Sequence, residues 1–359
     1  MKSKKGKNQD NKKTLCALPE VPIKKLSKKI GKHRESLIRL NEKKWTNGTV
    51  LHYYFFENPA SWRGDSTQKD VVRKAFLEWK NLGIGLDFSE VFSPEEAEIR
   101  ISFDYNQGSY SYVGRDNINI EEAKDPKFNT MNFGWDLTET HGYDTALHEI
   151  GHALGFSHEH QNPMSGIVWN KQAVLEYFSG EPNYWDEEAI HYNILNKLYT
   201  HEVSGSKWDK DSIMHYPFDP GLILKPNKYQ RKPLIPAPGL SPTDIKEALR
   251  FYPALDSNLI ELKPWESHRI KILPCEQSNF LIKPEYSREY TIQTFGNADT
   301  ALVLFEKTGD DCIYYKGDDD SGTSLNAKLN VRLVRGRSYV LRVRLNYIET
   351  LGEAALMLT

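Results

Sequence analysis

An α+β domain followed by an all-β sandwich is the fold class this sequence predicts, on three observations. Strand-like runs and one amphipathic helix precede a His-rich helix near the middle of the chain, and helices and loops follow it. Past residue 255 the pattern changes to short alternating runs separated by turn residues. The chain has 359 residues, too many for one ordinary core, so two domains are the natural expectation.

Residues 1–45 hold thirteen Lys and two Arg against four acids. They read as a basic, partly disordered N-terminal arm or pro-segment, with room for a short helix at Lys32–Asn41. Their net charge of +11 leaves −13 on the remainder, although the whole chain sums to only −2. Such near-neutrality predicts no strong global attraction to nucleic acid.

Order begins at Trp45-Thr46-Asn47-Gly48, a turn leading into the alternating run Val50–Phe56. Between Ser66 and Leu82, apolar Val71, Val72, Ala75, Phe76 and Trp79 recur at helical spacing. Ser66 and Thr67 are its N-cap candidates and Gly83 its stop. Strand-like runs follow at Gly85–Val91, Glu98–Phe103, Ser109–Gly114 and Asn129–Trp135. A helix over Tyr143–Gly155 carries the His-rich motif, and Asn170–Ser179 and Asp186–Tyr199 also read as helical. After a Pro- and Gly-rich loop, Pro217–Pro238, the run Ser241-Pro242-Thr243-Asp244 caps a last helix, with Pro at its first position. Tyr252-Pro253 ends that helix and marks the domain boundary, giving units at 46–254 and 255–359.

In the second unit, alternating runs at Phe280–Ile282, Tyr290–Thr294, Ala301–Phe305, Ala327–Leu333 and Tyr339–Leu345 are split by turns such as Asp318–Gly322 and Arg335-Gly336-Arg337. These predict a small antiparallel sandwich. Three Cys are too few for a disulfide framework; Cys275 and Cys312 can pair, leaving Cys16 over, and an all-reduced protein fits equally well. No apolar run approaches the roughly 18 residues of a membrane-spanning helix. The basic N-terminus is followed by no apolar h-region. The expectation is therefore a cytoplasmic or non-classically secreted protein, with a monomer favoured.

The chemistry concentrates in His148-Glu149-x-x-His152-x-x-Gly155-x-x-His158. Residues four apart share one helix face, so His148 and His152 can offer an imidazole nitrogen each to one ion. Gly155 stands where the chain must turn back, because glycine tolerates the left-handed backbone of such a turn. His158 then comes round as a third ligand. Three neutral imidazoles leave a coordination position open, which marks a catalytic zinc rather than a structural one. Glu149, one residue from a ligand, points beside the metal and suits a carboxylate that takes a proton from water and delivers it to a leaving amine. This pattern arises by chance with odds on the order of 10⁻⁵ to 10⁻⁴ in such a chain.

The extended motif with a downstream Met214 turn is the metzincin signature. The resemblance is closer to the astacin family, through His158-Glu159-His160-Gln161 and Ser212-Ile213-Met214-His215-Tyr216. Gly108–Arg115 resembles the astacin edge strand. Asn132-Phe133-Gly134-Trp135, Trp169-Asn170 and Leu240–Asp244 are similar to microbial astacin-like peptidases. The match runs over about residues 46–254. It implies a twisted sheet plus helices, with the zinc cleft between two subdomains, and a zinc endopeptidase acting on protein or peptide substrates. It further implies Tyr216 as an additional zinc ligand that can swing to stabilise the reacting carbonyl, and Met214 as an apolar floor. Glu159 becomes an anchor for the start of a mature chain, with a surface carboxylate as the alternative. Ser109, Tyr110, Ser111, Tyr112, Val113 and Gly114 become an edge that pairs with extended substrate. The sequence departs from animal astacins in having no Cys between 46 and 254, and Asn162-Pro163-Met164-Ser165 replaces the usual Arg- and Asp-rich continuation. Many members of the family are secreted, which makes secretion plausible too.

Weaker signals remain. Cys16-Ala17-Leu18-Pro19-Glu20 echoes the thiol latch of matrix metallopeptidases. The C-terminal unit resembles the pre-peptidase C-terminal sandwiches that follow microbial peptidases, and Asp318, Asp319 and Asp320 have the oxygens a Ca²⁺ site needs. Arg63-Gly64-Asp65 spells an adhesion tripeptide, read as coincidence beside Trp62. The rival function is a binding protein that holds zinc without catalysis, or an effector whose sandwich carries recognition. Intact Glu149 argues against the former.

Overall fold

The computed structural model describes residues 15–21, 43–45, 47–198, 207–254, 259–272, 277–308, 311–319, 321–345 and 352–359. The expected arm over 1–14, the short helix at Lys32–Asn41, Cys275 and Asp320 lie outside them.

In the first unit, β1 (Val50–Phe55), β2 (Asp87–Glu90), β3 (Ile99–Ser102), β4 (Tyr110–Ser111) and β5 (Met131–Asn132) form one sheet in the order β2-β1-β3-β5-β4. All its pairings are parallel except that of β4, the edge strand, with β5. Alternation in β1 sends Leu51, Tyr53 and Phe55 into the core, as period-2 geometry requires. Helix α1 (Ser66–Asn81) covers this face with Val72, Ala75, Phe76 and Trp79. Its cap is Asp65, whose carboxylate accepts from Gln68 N at 3.0 Å, and not Ser66 or Thr67. The extended backbone at Asp65 aims its carboxylate at the free N–H groups, while the Thr67 hydroxyl donates to that same carboxylate.

Helix α2 (Gly142–Ala153) packs on α1 through Ala146, Leu147 and Ile150. The Trp79 indole N–H donates to Leu147 O at 3.1 Å. A second apolar cluster gathers where β6 (Val168–Trp169) pairs antiparallel with β7 (Ile223–Lys225). It joins Ile167, Trp169, Tyr216, Phe218 and Ile223 to Val174 and Phe178 of α3 (Lys171–Ser179). The expected Asp186–Tyr199 helix is shorter, a single α-turn Glu187–Ile190 widening into a π-turn at His191–Leu195. The last helix, α4 (Pro242–Phe251), has the expected cap in full. Ser241 Oγ accepts from Asp244 N, and the Asp244 carboxylate accepts in return from Ser241 N.

The second unit is a sandwich. One sheet runs β13 (Asp311–Asp318), β12 (Thr300–Thr308), β15 (Ser338–Leu345), β10 (Gln277–Ile282) and β8 (Ile260–Glu261). The other runs β14 (Lys328–Leu333), β11 (Arg288–Gly296), β16 (Gly352–Leu358) and β9 (Ser267–Ile272). Leu302, Leu304, Leu341, Val343, Leu329, Ile292 and Leu356 fill the space between. The sandwich is antiparallel as expected, apart from the short β8, which runs parallel to β10. Four strands escaped the sequence pattern: β8, β9, β13 and β16. β13 is an edge strand that leaves Ile313 and Tyr314 exposed, so its apolar residues do not alternate with burial.

Candidate metal centre and cleft

Helix α2 ends where the metal motif needs it to end. Gly155 takes a left-handed backbone (φ 99°), its N–H bonds back to His152 O at 2.8 Å, and the chain reverses. That reversal brings His158 beside the two helical histidines. The Nε2 atoms of His148 and His152 stand 3.0 Å apart, and those of His152 and His158 3.1 Å apart. All three residues are buried.

The hydrogen bonds decide what these nitrogens are. His148 Nδ1 donates to Ile213 O at 2.7 Å, and His152 Nδ1 donates to Phe156 O at 2.7 Å. With Nδ1 protonated, a neutral ring presents a bare lone pair at Nε2. Two such lone pairs facing each other repel, so they make a cation site and not a hydrogen bond. His158 Nδ1 and Glu149 Oε1 are buried without a hydrogen-bond partner. Burial pulls His148 down to about 4, and burial with neighbouring imidazoles holds His152 and His158 well below the ordinary value. The rings are therefore neutral and ready to ligate at pH 7. This donor set fits zinc.

A fourth donor joins them. Cys16 Sγ, His148, His152 and His158 offer ligand atoms that all lie within 4.8 Å of one another. The thiol also lies 3.5 Å from Glu149 Oε2. Burial pushes Glu149 up to about 8, with the thiol contact a smaller opposing effect; a divalent cation alongside pulls a carboxyl back toward its charged form. The segment carrying Cys16 is seated in the cleft: Ala17 N donates to Ser109 O at 3.1 Å, and Leu18 N to Asn193 Oδ1 at 2.9 Å. A cavity of about 350 Å³ opens beside Cys16, His148 and Glu149, walled by Trp135, Ile213 and Pro236.

The other expected site residues fall around this centre. Tyr216 is buried with its ring centroid 4.3 Å from that of His158. Its hydroxyl donates to Cys16 O at 2.5 Å. Met214 lies under α2, against Gly151, where an added Cβ would meet Met214 Sδ at 2.5 Å. Glu159 Oε1 accepts from Asp209 N at 2.9 Å and Asn162 Nδ2 at 3.1 Å, and burial pushes this carboxyl up to about 7. The run Ser109–Gly114 is a strand only at Tyr110–Ser111. Ser109, Ser111 and Val113 are buried, while Tyr110 and Tyr112 are half-buried. Gly114 N–H donates to His152 O at 2.8 Å, at the end of α2.

Sequence reasoning passed over Gly151, and over a second role for the cap residue Asp244. Gly151 permits the close approach of Met214, and its glycine inside the helical motif was the available signal. Asp244 reaches from the α4 cap to the Met214 turn. Its carboxylate accepts from Ser212 Oγ at 2.6 Å and Ile213 N at 2.8 Å. In the sandwich, the Asp318 carboxylate already accepts from Lys328 N at 2.7 Å and Ser321 N at 3.1 Å, so one of the three expected calcium carboxylates is engaged in its own turn. Among the described residues, no helix is long and apolar enough to cross a membrane.

The family model for astacin, a peptidase family, matches residues 37–220, just over half of the chain. Karilysin of Tannerella forsythia is 30% identical over 36% of this chain and 29% of its own length. Zinc metalloproteinase nas-22 of Caenorhabditis elegans is 28% identical over 54% of this chain and 46% of its own. The chain thus spans less than half the length of these curated relatives. A solved structure of myroilysin superposes with a TM-score of 0.52 at 32% identity, covering 60% of this chain and 97% of that one. With its motif, its turned-back third histidine and its Met-turn in place, this chain belongs to the astacin family.

Proposed function

We propose that the protein is a zinc-dependent endopeptidase, held in a latent state with Cys16 at the metal position. One observation carries the reading: the Nε2 atoms of three buried imidazoles converge, those of His148 and His152 unprotonated, beside a carboxylate with a free oxygen, Glu149 Oε1. Held by His148, His152 and His158, zinc would supply Lewis acidity and lower the pKa of a neighbouring water towards roughly 7. Glu149 takes the proton of that water as it attacks the peptide carbonyl, and returns it to the departing amine. Tyr216, released from Cys16 O, donates its hydroxyl to the developing oxyanion. Extended substrate pairs at Ser109 O, just before β4, the acceptor that Ala17 now uses.

Latency follows from the same geometry. The thiol and the backbone of Leu15–Leu18 fill the place where water and substrate must stand. Withdrawal or removal of this segment opens the site.

The test is Glu149→Ala in the Cys16→Ser background. A peptidase loses turnover of a peptide library while zinc content stays at one ion per chain. A Cys16→Ser protein that holds zinc and cleaves no member of the library overturns the reading.

A further inference from the structure

The last four carbonyls of an α-helix have no partner within it, and at the end of α2 each can be traced. Gly151 O accepts from Phe156 N at 3.0 Å, and His152 O accepts from Gly155 N and Gly114 N, both at 2.8 Å. The remaining two are held by side chains from the two ends of the unit. Ala153 O accepts from the Trp45 indole Nε1 at 2.7 Å. Leu154 O accepts from the Tyr252 hydroxyl at 2.7 Å. The same hydroxyl accepts from Trp45 N at 3.2 Å, so the two side chains form one clasp. Both are buried, Tyr252 completely.

What the clasp holds is the turn that builds the metal site. Leu154 O begins the reversal at Gly155, and two residues on, Phe156 O takes the Nδ1 proton of His152. That hydrogen bond sets the tautomer and tilt of a metal-binding ring. His158, four residues beyond Leu154, is delivered by the same turn. Trp45 and Tyr252 each come from a distant part of the chain, one just before β1 and one just after α4.

We infer that the Tyr252 hydroxyl, with the Trp45 indole, is a positioning element for the metal site. It acts through Leu154 O and Phe156 O on His152 and His158, and it touches neither metal nor substrate. This rests on the zinc reading above, and it concerns how firmly the ion is kept. Tyr252→Phe removes one oxygen and leaves the ring in its place against Phe251, whose centroid is 4.9 Å away.

The experiment compares zinc release from the full-length zinc-loaded protein to a chromogenic chelator. Tyr252→Phe should release zinc about tenfold faster, the lower end of what losing a direct hydrogen-bond partner of a metal ligand costs in affinity. For activated protein, kcat should fall while KM holds. Tyr290→Phe is the control, since its hydroxyl donates to Tyr286 O at 3.2 Å within the sandwich; it should leave zinc release unchanged. A purely structural role would lower the melting temperature of Tyr252→Phe while zinc release stays within twofold of wild type, and that result overturns the inference. Should Tyr252→Phe fail to fold, Trp45→Phe carries the same expectation through Ala153 O. Zinc release is read without catalysis, so a chain that binds zinc but cleaves nothing sinks the peptidase reading alone.

Discussion

Cys16 Sγ lies 3.5 Å from the Oε2 atom of Glu149, joining residues 133 apart in sequence at the centre of the cleft. A thiol there competes with both water and substrate for the metal. The Cys16→Ser full-length protein should therefore show at least tenfold higher basal hydrolysis of a fluorogenic peptide than wild type. Equal basal rates would remove the latch.

Metal removal gives the second prediction. Folding brings the Nε2 lone pairs of His148 and His152 together beside His158, an arrangement stabilised by a cation and destabilised without one. Zinc at a hundredfold excess over its Kd should add about 2.7 kcal/mol to unfolding free energy. Calorimetry before and after chelation reads this directly. A melting temperature indifferent to chelator would mean the triad is not a metal site.

Gly151→Ala sets two effects against each other. Alanine favours a helix interior over glycine by about 1 kcal/mol. Here its methyl group enters space held by Met214 Sδ, with the Trp79 ring 3.4 Å away as well, and overpacking costs about 1–3 kcal/mol. The clash wins: urea midpoints should fall, and zinc release should quicken as the floor under the helix shifts.

Asp244→Ala leaves the Ser212 hydroxyl, Ile213 N–H and Ser241 N–H without their shared acceptor. Buried donors left unmatched cost about 1–3 kcal/mol each, so the variant should lose at least about 3 kcal/mol in denaturant unfolding. Activity should drop beyond what stability explains, because the Met214 turn is released from α4. A variant with wild-type stability would contradict the network.

The pH response of Asp104 has a definite sign. Burial alone would raise this carboxyl, but bonds from Asn106 N at 3.0 Å and Gln107 Nε2 at 2.7 Å, among others, outweigh it and hold Asp104 below its ordinary 3.8. A depressed folded value means the contribution is complete above the unfolded value and fades as pH falls through the folded one. In chelator, the stability deficit of Asp104→Asn should be full at pH 6 and should close progressively below about pH 4. A gap that widens with acid would refute the assignment.

What could be read from the sequence was local. The helix over the His-rich motif, the Gly155 turn and the Ser241–Asp244 cap each need only a few neighbouring residues. They stand within one or two residues of where the spacing puts them. Relationships that depend on distant chain meeting distant chain were harder to read. The Cys16 segment offers only five weakly suggestive residues, and nothing in Trp45 or Tyr252 advertises that they meet. Gly151 was overlooked for a different reason: glycine signals conformational freedom when met in a sequence, whereas in this helix it matters for the side chain it lacks. β4 shortened because Gly114 is recruited to the end of α2, a demand of packing that alternation cannot reveal. The strand runs of the sandwich were visible where both faces alternate, and were missed at exposed β13.

The position of β16 bears on how the second unit comes into being. This strand, Gly352–Leu358, is paired on both sides, with β11 and with β9. Its sheet has a gap in the middle until those residues arrive. During synthesis the first unit can close as soon as Tyr252 has emerged, while strands β9 to β15 must wait with their apolar faces incompletely covered. The two units therefore mature in sequence. A nascent chain stalled before Gly352 should present a finished metal site attached to an unfinished, protease-sensitive sandwich.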